Sequence, residues 1–278
     1  MKKTTFRLGG CTALITGATS GLGAEFARQL APKASRLLLV GRREERLAAL
    51  AESLRKEHSS LTVDPMPADL SRPGERERLA SEVIRQGIPL SLLVNNAGLG
   101  ELGLFGSAGW ERLHPVLEVN VAALTHLSHL LLPSLLARPA AAILNVSSVA
   151  GFFPLPEMAV YAATKAYVTS FSEALRMELA PEGITVTALC PGPVSTEFFD
   201  VASREGRPIR AMDRSHPAFG ATPELVVREA LAGLEKNRPG VIPNSLLGAV
   251  VRAVRLLPFP VIRQAIRLGA GPRKSIAD

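Results

Sequence analysis

A chain of 278 residues with 47% hydrophobic and 21% charged side chains can bury a sizeable core, which excludes a disordered or fibrous polypeptide. Its net charge of +7 is thinly spread, with 25 arginines to 7 lysines and no long basic run or interleaved aromatics, and this argues against nucleic-acid binding. Two cysteines, Cys11 and Cys190, both in expected strands, suit a reduced intracellular protein better than a disulfide scaffold.

The start, Met1-Lys2-Lys3 followed by Leu8-Gly9-Gly10-Cys11, has the outline of an export signal. Arg7 interrupts the apolar core such a signal needs, so a cytoplasmic protein is expected. No apolar segment reaches the ~20 residues of a spanning helix. Beyond the start, short apolar runs alternate with longer amphipathic stretches. Strands are expected near 11–16, 36–41, 61–66, 90–95, 140–147, 184–190 and 240–242, and helices near 21–31, 43–57, 73–86, 108–137, 156–180 and 223–236. Such alternation implies right-handed βαβ crossovers and a parallel sheet covered on both faces. One domain over 1–278 is expected, with 243–278 a basic amphipathic C-terminal extension.

The first strand runs into Thr16-Gly17-Ala18-Thr19-Ser20-Gly21-Leu22-Gly23 and then a helix. A glycine-rich turn there lets backbone N–H groups and the helix dipole meet a pyrophosphate. The second strand ends Val40-Gly41-Arg42-Arg43, with Arg42 nineteen residues beyond Gly23. An acid at that place would bind a ribose 2′-hydroxyl, whereas arginine suits a 2′-phosphate, so NADP(H) is preferred. Two alternatives stay open: Arg42 and Arg43 merely open a solvated helix, paired with Glu44 or Glu45, or Glu44 turns inward and supports NAD(H). Asp69, before Leu70 and Ser71, has the form of a helix cap. Asn95 opens Asn95-Asn96-Ala97-Gly98, and its amide can pin neighbouring strands.

Asn120 lies in an apolar helical stretch, where an amide is unfavourable unless it is used; the alternative is an ordinary buried amide on a backbone carbonyl. His126 and His129 have no nearby Cys, Asp or Glu to complete a metal site, so none is expected. Ser147 and Ser148 are equally capable hydroxyls that strand alternation would point to opposite sides. Tyr161 and Lys165, four apart, share one helix face. An ammonium about 4 Å from a phenol is worth roughly 4 kcal/mol at an effective dielectric of about 20. The lysine is therefore expected to draw the tyrosine toward neutrality as an acid–base group. Pro191-Gly192-Pro193-Val194-Ser195-Thr196 follows the sixth strand.

The T-G-x-x-x-G-x-G spacing, the Asn-Asn-Ala-Gly run, the serine thirteen residues before Tyr161, Asn120 and the Pro-Gly segment, in this order, resemble the short-chain dehydrogenase/reductase family over roughly residues 8–242. That resemblance implies a doubly wound α/β Rossmann fold of about seven strands. It implies Asn120, Ser148, Tyr161 and Lys165 as catalytic, and its spacing selects Ser148 over Ser147. For the cofactor it implies Thr16, Gly17, Ser20, Gly21, Leu22, Gly23, Arg42, Arg43, Asp69, Leu70, Asn96, Ala97, Gly98, Tyr161, Lys165, Pro191, Gly192, Val194 and Thr196. In those terms Asp69 touches the adenine, Thr196 bonds the carboxamide, Lys165 holds the ribose hydroxyls and Asn120 holds a water in a proton relay. A homo-dimer or homo-tetramer is implied as well.

Around these groups Leu99, Leu102, Leu104, Phe105, Phe152, Phe153, Leu155, Met158, Phe198, Phe199 and Val201 are apolar, which suits a lipophilic ketone, aldehyde or secondary alcohol such as a steroid, a 3-oxoacyl chain or a xenobiotic ketone. The competing reading makes several of them ordinary core or dimer contacts. A catalytically idle nucleotide-binding sensor or scaffold is the alternative function. In the tail, residues 244–268 mix apolar side chains with Arg252, Arg255, Arg263 and Arg267, and Pro258 and Pro260 split them into two short helices. This is the composition of an interfacial helix on an anionic bilayer, or of a lid or subunit contact.

Overall fold

The computed structural model describes residues 5–198, 202–203 and 220–269. Seven strands form one parallel sheet in the order β3-β2-β1-β4-β5-β6-β7. They are β1 Thr12–Thr16, β2 Arg36–Gly41, β3 Thr62–Pro67, β4 Leu92–Asn95, β5 Ala141–Val146, β6 Ile184–Leu189 and β7 Gly240–Val241. The central strands are buried on both sides, which is why they read as unbroken apolar runs. Alternate residues serve opposite faces. Ala13, Ile15, Leu37 and Leu39 pack with Phe26, Leu30, Leu47 and Val226, while Leu14, Leu38, Leu93 and Ile143 pack with Leu79, Leu127 and Leu131. Each such leucine, fully buried, contributes about 1.5–3 kcal/mol.

Helices α1 Gly21–Leu30, α2 Glu44–Glu57, α3 Pro73–Arg85, α4 Trp110–Leu117, α5 Leu124–Leu136, α6 Ala159–Leu179 and α7 Pro223–Glu235 provide those layers. The chain leaves β1 toward β2 and β3 on one side and returns to β4 on the other. That reversal opens a crevice at the carboxyl ends of β1 and β4, the usual ligand position in an open parallel sheet.

The stretch 108–137, expected as one helix, differs in its middle. Between α4 and α5 the residues Glu118–Ala123 form a π-helical turn, three residues past the interior Pro115. Arg76 of α3, itself buried, pairs with Glu118 at the start of this turn. By length and composition Trp110–Leu136 would also pass as a membrane span, contrary to the expectation that no segment reaches that length. Its Leu124, Leu127, Leu131 and Leu135 are instead buried against the sheet.

Two further helices, α8 Ser245–Arg255 and α9 Phe259–Gly269, divide at Pro258 as expected. Asn244 starts α8 by accepting from Leu246 N at 3.1 Å and Leu247 N at 3.2 Å. Leu247 and Val251 then bury against Val149, with Phe152 and Phe153 packed around them.

Candidate active site

One cleft of about 330 Å³ runs from the end of β2, past the β1–α1 turn, to α6. Its floor is the glycine turn. Gly17 has φ +69°, and a Cβ there would lie 2.9 Å from Ala97 Cα, so the β1 and β4 loops approach too closely for any side chain. A Cβ on Gly23 would meet Gly17 O at 2.1 Å, which makes glycine the residue that lets α1 start tight against the turn. The first-turn N–H groups of α1 face this cradle, and no acidic residue stands in that turn to compete for them. A pyrophosphate fits such a cradle by charge and by space, so the residues present fit a dinucleotide.

Most of the expected cofactor residues line this cleft: Gly17, Ser20, Gly21, Leu22, Arg42, Arg43, Asp69, Leu70, Asn96, Ala97, Gly98, Tyr161, Lys165, Pro191, Gly192, Val194 and Thr196. Thr16 and Gly23 do not. Thr16 is buried and ties β1 to β4, its Oγ1 donating to Val94 O at 3.2 Å and accepting from Asn96 N at 2.9 Å and Ala97 N at 3.0 Å. Asn96 completes the tie by donating to Thr16 O at 2.8 Å. Asn95 turns away and donates to Ser128 Oγ at 3.0 Å and Asn145 Oδ1 at 2.9 Å, pinning strands as its amide allows.

At the adenosine end Arg42, Arg43 and Asp69 border the cleft, whereas Glu44 does not. Asp69 caps its own turn, accepting from Ser71 N at 3.1 Å and Ser71 Oγ at 2.8 Å. Burial works to raise its pKa, but the Ser71 hydrogen bonds and the Arg42 and Arg72 guanidiniums win and hold it below the ordinary aspartate value. Turn-capping and cleft-lining thus coexist in one side chain.

At the other end the two serines diverge. Ser147 Oγ donates to Lys165 O at 2.8 Å and shares a hydrogen bond with Thr169 Oγ1 at 2.7 Å. Ser148 Oγ accepts from Ala150 N at 3.1 Å and hydrogen-bonds Tyr161. Lys165 Nζ donates to Val146 O at 2.8 Å and lies 5.7 Å from the Tyr161 ring centroid. Burial pushes the phenol up to about 12, against a smaller lowering by the Ser148 hydrogen bond, and burial draws the ammonium down to about 8. The expected lowering of the tyrosine by the lysine is not found: burial sets the direction of both shifts, and desolvation disfavours both charges.

Asn120, 1% exposed, does not line the cleft. Its Oδ1 accepts from Leu99 N at 2.8 Å, and its Nδ2 donates to Leu99 O at 2.9 Å and Thr164 Oγ1 at 3.0 Å. The amide fixes the segment after Gly98 onto α6, the ordinary buried role that its sequence left open.

The apolar residues divide as well. Leu99, Met158 and Phe198 line the cleft; Leu102 and Leu155 pack with Met158 and Tyr161, and the Phe198 and Tyr161 rings lie 5.5 Å apart. Phe152 and Phe153 pack against α8 instead, and Phe105 is 65% exposed. Phe199 and Val201 lie outside the described residues. Sequence reasoning missed Thr19 and Glu197, which also border the cleft. Thr19 sits inside the glycine motif and Glu197 directly follows Thr196, so proximity to expected residues was the available signal.

The chain is similar in sequence and fold to known proteins. The short chain dehydrogenase profile matches residues 11–206. A very-long-chain 3-oxoacyl-CoA reductase of Anas platyrhynchos is 30% identical over 250 residues, 87% of this chain and 75% of that one. Among solved structures, a short-chain dehydrogenase from Sphingobium yanoikuyae in complex with NADPH is 33% identical with a TM-score of 0.78, covering 95% of this chain and 97% of that one. Another, from Burkholderia phymatum in complex with NAD, is 27% identical with a TM-score of 0.77, over 89% and 93% of the two chains.

Proposed function

The chain belongs to the short-chain dehydrogenase/reductase family and is an oxidoreductase of CH–OH and C=O groups with a nicotinamide dinucleotide; from that premise we propose that it reduces a lipophilic carbonyl with NADPH. The observation that carries this reading is the single cleft with Arg42 and Arg43 at one end and Ser148, Tyr161 and Lys165 among apolar side chains at the other. The relatives point both ways on the dinucleotide, since one complex holds NADPH and another NAD. The paired arginines, with Glu44 outside the cleft lining, favour NADPH.

In this proposal Gly17, Ser20, Gly21 and Leu22 hold the pyrophosphate, Asp69 and Leu70 border the adenine, and Thr196 holds the carboxamide. A dinucleotide held there would supply hydride to the carbonyl carbon. Ser148 and Tyr161 both donate hydrogen bonds to the carbonyl oxygen, and Tyr161 delivers its phenolic proton to that oxygen as negative charge develops there. Tyr161 carries its phenolic proton at neutral pH, and positive charge from Lys165 offsets the burial that makes the phenol a weaker acid. Lys165, beside the ring, supplies positive charge when protonated and so stabilises the phenolate left behind. Asn120 acts by position, fixing Leu99 at the substrate wall.

Leu99, Val119, Met158 and Phe198 form that wall, which favours an apolar ketone or aldehyde over a sugar. Two buried, unpaired thiols, Cys11 and Cys190, agree with a cytoplasmic enzyme working as one catalytic unit, and the exposed Trp110, Leu136, Tyr167 and Met177 offer a second copy a place to pack. The test is oxidation of NADPH and NADH in parallel over a panel of carbonyls: turnover with apolar ketones and NADPH supports the reading, and binding without turnover on any carbonyl would favour the idle sensor.

A second reading concerns α8 and α9. Leu256, Phe259 and Leu268 are 86%, 52% and 75% exposed, and no acidic residue occurs from 236 to 277. Apolar side chains flanked by arginines suit the surface of an anionic bilayer, which would deliver an apolar substrate beside the cleft.

A further inference from the structure

Arg43 touches two sides of the cleft. Its Nη2 donates to Ser20 Oγ at 2.9 Å and Thr19 Oγ1 at 3.0 Å, on the glycine turn, while Nη1 donates to Glu197 Oε2 at 3.3 Å. Arg46, one helical turn on, donates Nη1 to both Glu197 oxygens at 3.1 Å. Hydrogen bonds from Arg46 and Arg43 hold the Glu197 carboxyl below its ordinary pKa, so it is an anion at neutral pH. A carboxylate therefore already occupies part of the guanidinium that a 2′-phosphate would need, and it borders the same cleft.

Two anions on one guanidinium repel each other, and the carboxylate has somewhere else to go. Released from Arg43, it keeps both oxygens within reach of Arg46. Exchange thus costs Glu197 one of its two cations and frees Arg43 Nη1 for the incoming phosphate, with Nη2 still held by Thr19 and Ser20. A dinucleotide lacking the 2′-phosphate has no anion to exchange and leaves the Arg43–Glu197 pair in place. We propose that Glu197 is a specificity-determining residue that competes with the coenzyme's 2′-phosphate for Arg43. The proposal rests on the reading of the arginine pair as a 2′-phosphate site.

The test is calorimetric titration of NADPH and NADH into wild type, Glu197→Gln and Arg43→Ala, at low salt and near ~0.5 M salt. Both side chains are about half exposed, at 53% for Glu197 and 44% for Arg43, so neither change disturbs the core. Glu197→Gln is expected to tighten NADPH by about three- to fivefold at low salt, the upper range for one exposed ion pair, with NADH unchanged. The gain shrinks at high salt, as screening removes the competition. Unchanged or weaker NADPH binding in Glu197→Gln, while Arg43→Ala still weakens NADPH selectively, overturns the competition and spares the phosphate site. If Arg43→Ala affects NADPH and NADH equally, the phosphate reading itself fails and the proposal falls with it.

Discussion

Tyr161 and Lys165 lie side by side, with Nζ 5.7 Å from the phenol ring centroid, yet the ammonium donates to Val146 O and the phenol hydrogen-bonds Ser148. The pair is arranged face to flank rather than as an ion pair. Burial dominates both groups, and each is driven toward its neutral form. The phenol carries its proton at neutral pH, next to a hydroxyl that aims at the same substrate oxygen.

Tyr161→Phe is expected to abolish carbonyl reduction while leaving dinucleotide binding nearly intact. Phenylalanine keeps the ring that packs on Phe198 and loses only the transferable proton. Steady-state turnover reads the result, and a rate within about tenfold of wild type would remove Tyr161 from the role, since general acid catalysis contributes about 10²–10⁴-fold.

The buried lysine sets a pH dependence of stability. Its pKa falls from 10.5 to about 8 on folding, so between those values the unfolded chain binds a proton that the folded chain does not. Stability contributed by Lys165 is fully present above pH 10.5 and is lost as pH falls through 8. Cys11 and Cys190, raised from 9.0 to about 12 and about 11, act in the opposite direction above pH 9, and Tyr161 does so above 10. The difference between wild type and Lys165→Met isolates the lysine. In urea titrations the variant's advantage is expected to shrink from pH 8 to pH 10, by up to about 1.4 kcal/mol per pH unit. A gap independent of pH would show that the ammonium is solvated.

Arg42 stands beside Asp69, whose carboxylate it helps to keep ionised. If it holds a 2′-phosphate, Arg42→Ala weakens NADPH far more than NADH, by about 1.5–3 kcal/mol for a lost charged hydrogen bond. Dissociation constants of both dinucleotides at one ionic strength decide it. Equal losses would mean that the guanidinium belongs to the solvated surface of α2.

The sheet and its cradle were legible because they depend on local pattern. Strand ends in β1, β2, β3, β5 and β6 fall within a residue or two of the apolar runs, and Gly17 and Gly23 announce a close approach that no other residue permits. Side-chain direction over long separations was not legible. Nothing in the local pattern says that Phe152 and Phe153 face α8, nearly a hundred residues on, or that Asn120 spends all three hydrogen bonds on Leu99 and Thr164. The π-turn at Glu118–Ala123 was hidden for a similar reason: an unbroken helical period carries no mark of one extra residue in the turn. Burial also reversed the expected tyrosine shift, because the cost of desolvation depends on the whole surrounding fold.

Asn120→Ala tests the positioning role. The substitution leaves the part-buried N–H and C=O of Leu99 without their amide partner, at up to about 1 kcal/mol for each where cleft water can replace it. A lowered unfolding midpoint in urea and a raised KM for the carbonyl are expected together, because Leu99 lines the substrate wall. A loss in kcat alone, with stability and KM unchanged, would instead assign Asn120 to proton transfer.

The C-terminal helices separate two uses of one amphipathic surface. Leu247 and Val251 of α8 are already buried over Val149, so this face covers the region beside Ser148 and is unavailable to lipid. The remaining face carries Leu246, Val250, Leu256, Leu257, Phe259, Val261 and Leu268 in the open, next to Arg252, Arg255, Arg263 and Arg267. Apolar insertion and attraction to anionic headgroups then act together, and the second of these is screened by salt. The protein is expected to float with phosphatidylserine-containing vesicles at low salt and to lose that retention when Leu256, Phe259 and Leu268 are changed to Ser. Those three are exposed, so the triple variant keeps the contacts of α8 with Val149 and serves as a folded control. Failure of the unchanged protein to float at low salt would leave α8 and α9 as a cover for the cleft or a contact with a second copy.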